Sequence, residues 1–146
     1  FTTFGGFTVI TNPLTTFEGA ELGREVCEGC IHVTQTEIDT FCNLLGYNDP
    51  AYKGDAVGGA IAPSSMGLTY GLRLGWENKV FPPGCIRMGD ENVHGHPVRP
   101  GDDLRTVLTI VDKFKRKNRK FMKYKLRTTN QRDQLVCSIT FTAIVP

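Results

Sequence analysis

The spacing of apolar side chains divides the chain into two helices and a series of strands. The stretch "GREVCEGCIHV", residues 23–33, alternates loosely and predicts a strand. Thr34-Gln35-Thr36-Glu37 follows as a capping box, with the Thr34 hydroxyl as cap and Glu37 reaching back to it. The helix it opens sets Ile38, Phe41, Leu44 and Leu45 on one face, and Gly46 ends it. A second helix starts at Pro63 or Ser64 in "PSSMGLTYGLRLGW", with Met66, Leu68, Tyr70, Leu72 and Leu74 as apolar surface. Gly67, Gly71 and Gly75 recur at every fourth position and leave one face nearly bare. The segment is too short and polar for a membrane helix pair, so the bare face predicts close packing against a sheet.

After this helix the period changes to two. "CIRMGDENVHGHPV" makes one or two extended pieces around Gly89, and "DLRTVLTIVDKF" sets Leu104, Thr106, Leu108 and Ile110 on one face. "KFMKYKLRTTN" alternates Phe121 with basic residues, and "NQRDQ" turns the chain. "LVCSITFTAIV" closes it with Cys137, Ile139, Phe141 and Ala143 on one face. Strand, helix, glycine-rich loop, long helix and three or four antiparallel strands define the α+β class, with a curled antiparallel sheet wrapped around the second helix. No repeat or linker divides the chain. Residues 1–21 read as an N-terminal arm and 22–146 as one domain.

With 146 residues, 40% hydrophobic and 22% charged, the chain suits a single soluble globular domain. Its apolar runs are too short to span a membrane. The first residues lack a basic start and an apolar run, so they do not read as a secretory signal; a chain beginning at Phe1 leaves an upstream extension open. The five cysteines, Cys27, Cys30, Cys42, Cys85 and Cys137, form no regular framework, so free thiols and a cytoplasmic location are expected. Cys27 and Cys30 make a C-x-x-C that lies in a strand and finds no further ligands, which favours a structural reading over zinc or redox chemistry. Net charge is only +2, but residues 113–120, "KFKRKNRK", hold six basic side chains in eight positions. Such a run attracts the phosphates of nucleic acid, coenzyme A or an acyl carrier. No aromatic-rich stacking surface accompanies it, so the expectation is a solvated hairpin end with Asn118 in the turn and no nucleic-acid partner.

Candidate chemistry concentrates in two places. The first is residues 44–63, "LLGYNDPAYKGDAVGGAIAP", between the two helices. Asp49 there is either a base oriented by Asn48 and Tyr52 or the acceptor of an Asx turn before Pro50; the turn is favoured. The second is His94 and His96, two apart in a predicted strand and so expected on one side. With Asp90 or Glu91 they would form an acid–base pair; otherwise they line a pocket rim or a subunit contact. No third metal ligand accompanies them, so neither a metal nor a cofactor is expected. His32 reads as structural, and Arg73 and Arg99 as solvated or salt-bridged side chains with phosphate or carboxylate contact as the alternative.

These motifs together resemble a family. "LGREVCEGCIHVTQTEIDTFCNLLGYNDPAYKGDA" with "IAPSSM" and the C-terminal half, including "HPVRPGD", is similar to the MaoC-like hydratases and dehydratases over about residues 22–146. The resemblance implies a single hot-dog fold, a dimer, and a trans-enoyl thioester of coenzyme A or of a carrier protein as substrate. Active members carry the loop Gly-Asp-x-Asn-Pro-x-His, whose Asp and His activate water and deliver a proton while a helix-start N–H holds the thioester oxygen. With Gly46 and Pro50 aligned, Tyr47 stands at the Asp, Asp49 at the Asn and Tyr52 at the His. Tyrosine is mostly protonated at neutral pH and makes a poor base. The "NDPAY" loop resembles the degenerate half of double hot dogs and the silent subunit of two-component hydratases. The resemblance makes Asn48, Gly59, Ala62, Pro63, Ser64 and Arg99 the wall that binds the acyl thioester.

Three functions follow as expectations. The first is a pocket-forming subunit of a two-component enoyl-thioester hydratase, partnered by a catalytic hot-dog chain. The second is a self-sufficient dehydratase or cyclase using His94, His96 and Asp49. The third is a non-catalytic binder of acyl ligands.

Overall fold

The computed structural model describes residues 7–8 and 15–146. Its elements are β1 (Phe7–Thr8), β2 (Glu25–His32), α1 (Gln35–Leu45), a short 3-10 turn (Pro50–Tyr52), α2 (Ser64–Glu77), β3 (Ile86–His94), β4 (Asp103–Arg116), β5 (Arg119–Thr129) and β6 (Leu135–Val145). All six strands join one antiparallel sheet in the order β1-β2-β4-β5-β6-β3. The architecture is α+β, with α2 packed on one face of the sheet. The expected arm falls largely on residues outside those described; within residues 15–21, Ala20 is buried and Phe17 packs on the core.

The bare face of α2 explains how the helix lies so close to the strands. A Cβ at Gly71 would meet Ile139 at 3.4 Å, and one at Gly75 would stand 2.3 Å from the Phe81 ring. Met66, Tyr70 and Leu74 complete the buried side of the helix. Beneath it, β4 buries Leu104, Thr106, Leu108 and Ile110, and β6 buries Cys137, Ile139, Phe141, Ala143 and Val145. The rings of Phe81, Tyr124 and Phe141 lie 5.1–5.4 Å apart in this core.

Three local readings change. On α1 the buried positions are Ile38 and Cys42, while Leu44 and Leu45 are 79% and 56% exposed, because the helix covers the sheet rim along only a narrow seam. On β5 the core takes Met122, Tyr124, Leu126 and Thr128; Phe121 instead stacks on Phe114 across the hairpin, ring centres 5.0 Å apart. His96 lies beyond the end of β3, so strand alternation does not govern it.

The basic run forms the β4–β5 hairpin, with Lys117 and Asn118 both at positive φ in a two-residue turn. Part of its charge is used within the fold. The Lys113 ammonium donates to the carbonyls of Phe17, Glu18 and Ala20 at 2.8–3.3 Å, and Lys120 pairs with Glu18 at 2.9 Å. The C-x-x-C is divided by the pleat: Cys27 is buried in the core and Cys30 is exposed. Among the described residues, no helix is long and apolar enough to cross a membrane.

Candidate functional site

Helix α1 ends at Gly46 in the left-handed conformation, φ +74°, which sends residues 47–63 across its C-terminus. The Asp49 carboxylate then accepts the Ala51 N–H at 2.9 Å and caps the Pro50–Tyr52 turn. This is the Asx turn expected before Pro50. Two bonds hold the turn in place. Gln35 donates to the Tyr52 carbonyl at 3.0 Å, and the Ile61 N–H donates to the Ala51 carbonyl at 3.0 Å.

Tyr52 borders a cavity of about 260 Å³ at the N-terminus of α2. One wall is Ile61–Ser64 with Gly67, a second is His94–Val98, and Val136 and Cys137 complete it. The second wall forms because the chain leaves β3 across the start of β6. The Gly95 N–H donates to Val136 and the His96 N–H to Leu135, both at 2.8 Å, and the Ala62 N–H donates to Val98 at 2.8 Å. The cavity therefore receives the positive end of the α2 dipole. Pro63 at the N-cap offers no side-chain acceptor, so no side chain caps the first turn. The imidazoles of His94 and His96, the Tyr52 phenol and the Ser64 hydroxyl are the polar side chains on the lining, and no carboxylate is among them. The Cys137 thiol is held above its ordinary pKa by burial, against an opposing hydrogen bond with Thr128.

The fold thus gathers Tyr52, Ala62, Pro63, Ser64, His94 and His96 in one place. It leaves the other candidates outside the lining. Tyr47 stands on the flank, its hydroxyl 3.4 Å from Ser65 Oγ and its ring 6.1 Å from that of Tyr52. Asn48 is exposed, and Asp49 is occupied by its cap. Arg99 is a correction to the expected ligand wall, because its guanidinium donates to the carbonyls of Gly58, Gly59 and Ala60 at 3.2–3.4 Å. Gly59, at φ +87°, is one end of that clamp, and a Cβ there would meet Arg99 at 3.3 Å. The "HPVRPGD" passage is accordingly a strut. Val98 accepts from Ala62, the Asp102 carboxylate accepts the Arg99 N–H at 2.8 Å, and Gly101 donates to the Val33 carbonyl at 2.7 Å. His32 pairs with Asp103 at 2.7 Å, and Arg73 pairs with Glu77. Among the described residues, no group of three His, Cys, Asp or Glu side chains is arranged to hold a metal ion.

Gly67, Gly95 and Cys137 also shape the cavity, although sequence reasoning did not assign them to it. Gly67 and Cys137 read correctly as packing positions, and only the crossing of α2 over the start of β6 makes them a pocket wall. Gly95 carried a signal, a glycine set between two histidines.

No protein-family model and no curated protein sequence matches the chain. Solved structures do. The R-hydratase PhaJ1 from Pseudomonas aeruginosa, unliganded, is 23% identical over 89% of this chain and 84% of its own, with a TM-score of 0.72. A MaoC-like dehydratase from Rhodospirillum rubrum is 23% identical over 88% and 94%, with a TM-score of 0.74. The chain has the hot-dog fold. The HadBC complex from Mycobacterium tuberculosis, a 3R-hydroxyacyl-ACP dehydratase, is also similar to this hot dog, at 17% identity over 80% and 90% and a TM-score of 0.66.

Proposed function

We propose that this chain is an acyl-thioester-binding protomer of a hot-dog hydratase or dehydratase of the MaoC-like kind, and that a partner protomer completes its chemistry. The observation that carries this reading is a cavity joining an uncapped helix N-terminus to two imidazoles while holding no carboxylate. The α2 amides suit a thioester oxygen that gains charge as the reaction proceeds. Hydration breaks the alkene π bond and one O–H bond of water, adding hydroxyl to the β-carbon and a proton to the α-carbon. Two positioned groups are needed for these proton movements. Asp49 is committed to its turn, and Tyr47 and Tyr52 occupy the two positions where the resemblance places the working pair. The missing group then comes from another hot-dog chain with an intact loop or from a second copy of this one. HadBC, similar in fold, is a complex. The five free thiols suit a reducing compartment such as the cytoplasm.

A second reading is favoured by the meeting of His94, His96 and Tyr52 in one cavity. In it, these side chains alone move the protons, and the chain is self-sufficient. Hydration of crotonyl-CoA, measured beside native mass spectrometry, separates the two. Turnover that appears only in an assembled dimer supports the proposal, and turnover by a monomer overturns it in favour of the second reading. Crotonyl-CoA binding without turnover in any assembly makes the chain a binder only.

A further inference from the structure

Strand β3 is the edge of the sheet, and all nine of its residues are exposed. Ile86, Met88 and Val93 are 57%, 58% and 48% exposed, although each is apolar. The strand contains neither proline nor lysine, the residues that commonly blunt such an edge. From Gly89 to His94 it pairs without interruption with β6, past a single irregularity between Arg87 and Gly89. A regular edge with exposed apolar side chains is a template for another strand.

The pattern along that edge chooses the occupant and the register. Asp90, Asn92 and His94 stand opposite Phe141, Ile139 and Cys137, on the face turned toward α2. Gly89, Glu91 and Val93 point to the other face. A second copy related by a two-fold axis normal to the sheet keeps the faces matched, so the axis passes through a residue that meets itself. An axis at Asp90 sets Asp90 against Asp90, and one at Glu91 sets Glu91 against Glu91. Like charges directly opposite are destabilising. An axis at Asn92 has neither fault. It sets Asn92 against Asn92, Glu91 against Val93, and Asp90 against His94, the last pair occurring twice.

We infer that a second copy of this chain pairs along β3 about Asn92 and places its Asp90 beside His94 in the cavity of the first, each copy completing the other. The inference rests on the acyl-thioester reading for its chemistry but not for its geometry. Within one chain Asp90 is four strand residues from His94, about 13 Å away, too far for contact. Directly opposed residues of paired strands have Cβ atoms about 4.5–5.5 Å apart, within reach for a carboxylate and an imidazole. The Asp90 side chain is already prepared for this. Arg87 and the Asn92 amide both bond to Oδ2, at 2.9 and 2.8 Å, and among the described residues Oδ1 has no partner. The cavity that lacks a carboxylate in one copy gains one from the other. Asp90 then acts as a positioning residue, orienting His94 and balancing its charge.

Two experiments test this in the full chain. The first is cross-linking with the exposed Cys30 replaced by serine. Asn92→Cys chains should form disulfide-linked dimers on mild oxidation, because the two sulfurs face each other. Glu91→Cys chains should not, since their sulfurs lie beyond disulfide reach in this register. Linkage through position 91, or a monomer in native mass spectrometry, overturns the pairing. The second is complementation with crotonyl-CoA as probe. His94→Ala and Asp90→Asn should each lose most of the hydration activity. Dissociated and reassembled together, they should recover about a quarter of the wild-type rate, since half the dimers are mixed and each mixed dimer holds one intact site. A structural role for Asp90 would not produce rescue, so its absence overturns the trans contact. If wild type fails to turn over crotonyl-CoA, the acyl-thioester reading falls and the Asn92 cross-link alone decides the pairing.

Discussion

At Gly95 the chain has room for a hydrogen and nothing larger, since a Cβ would stand 2.1 Å from the Leu135 carbonyl oxygen. That close approach lets the amides of Gly95 and His96 both bond to β6 and present the two histidines to the cavity. Gly95→Ala should cost about 1–3 kcal/mol, the range of overpacking, measured by urea unfolding, and should weaken thioester-analogue binding. Asp49 offers a sharper distinction at the same scale. As a turn cap it tolerates Asn, which keeps the acceptor oxygen, whereas Asp49→Ala should lose about 1 kcal/mol of stability. Asp49→Asn should therefore retain both stability and turnover in the assembled protein. An Asn variant that folds normally and loses turnover would return Asp49 to the role of base.

Among the elements, α1 depends on its start more than on its face. Both halves of the capping box form: the Thr34 hydroxyl accepts the Glu37 N–H at 3.2 Å, and the Glu37 carboxylate accepts the Thr34 N–H at 2.9 Å. With only Ile38 and Cys42 buried, Thr34→Ala should cost about 1 kcal/mol, read as a lower denaturant midpoint. The β4–β5 hairpin shows the opposite economy of charge. Lys113 serves three carbonyls on residues 17–20, so Lys113→Met should destabilise by about 1–3 kcal/mol through acceptors left without a donor. Lys117→Met, at the exposed turn of the same hairpin, should change stability far less, and parallel urea titrations compare the two.

For the whole molecule, burial decides the response to alkali. It pushes the Cys27 thiol from 9.0 up to about 12, and it is the leading cause that raises the Tyr70 phenol from 10.0 to about 12. A group whose pKa is raised by folding stabilises the native state fully below its unfolded pKa, and that contribution is lost as pH rises toward the folded value. Stability should therefore fall from about pH 9 toward pH 12, measured as the urea midpoint at successive pH values. Exposed Cys30 should react with iodoacetamide well before buried Cys27. Much of this molecule was legible in the chain: the period-two runs of β4 and β6, the Thr34 box, and the glycine-lined face of α2 are local patterns that need one partner surface each. They made the α+β class readable before any coordinates. Residues 44–63 were legible in shape and silent about chemistry, because Tyr47 and Tyr52 stand where the resemblance places an acid and a base. What only the tertiary structure decided is the cavity. His94 and His96, Cys137, and the start of α2 come from segments up to 73 positions apart, counting from Ser64 to Cys137. They meet because α2 crosses the beginning of β6 just where the chain leaves β3. Sequence periodicity sets which way a side chain faces within its own element, and only the packing of elements sets what it faces.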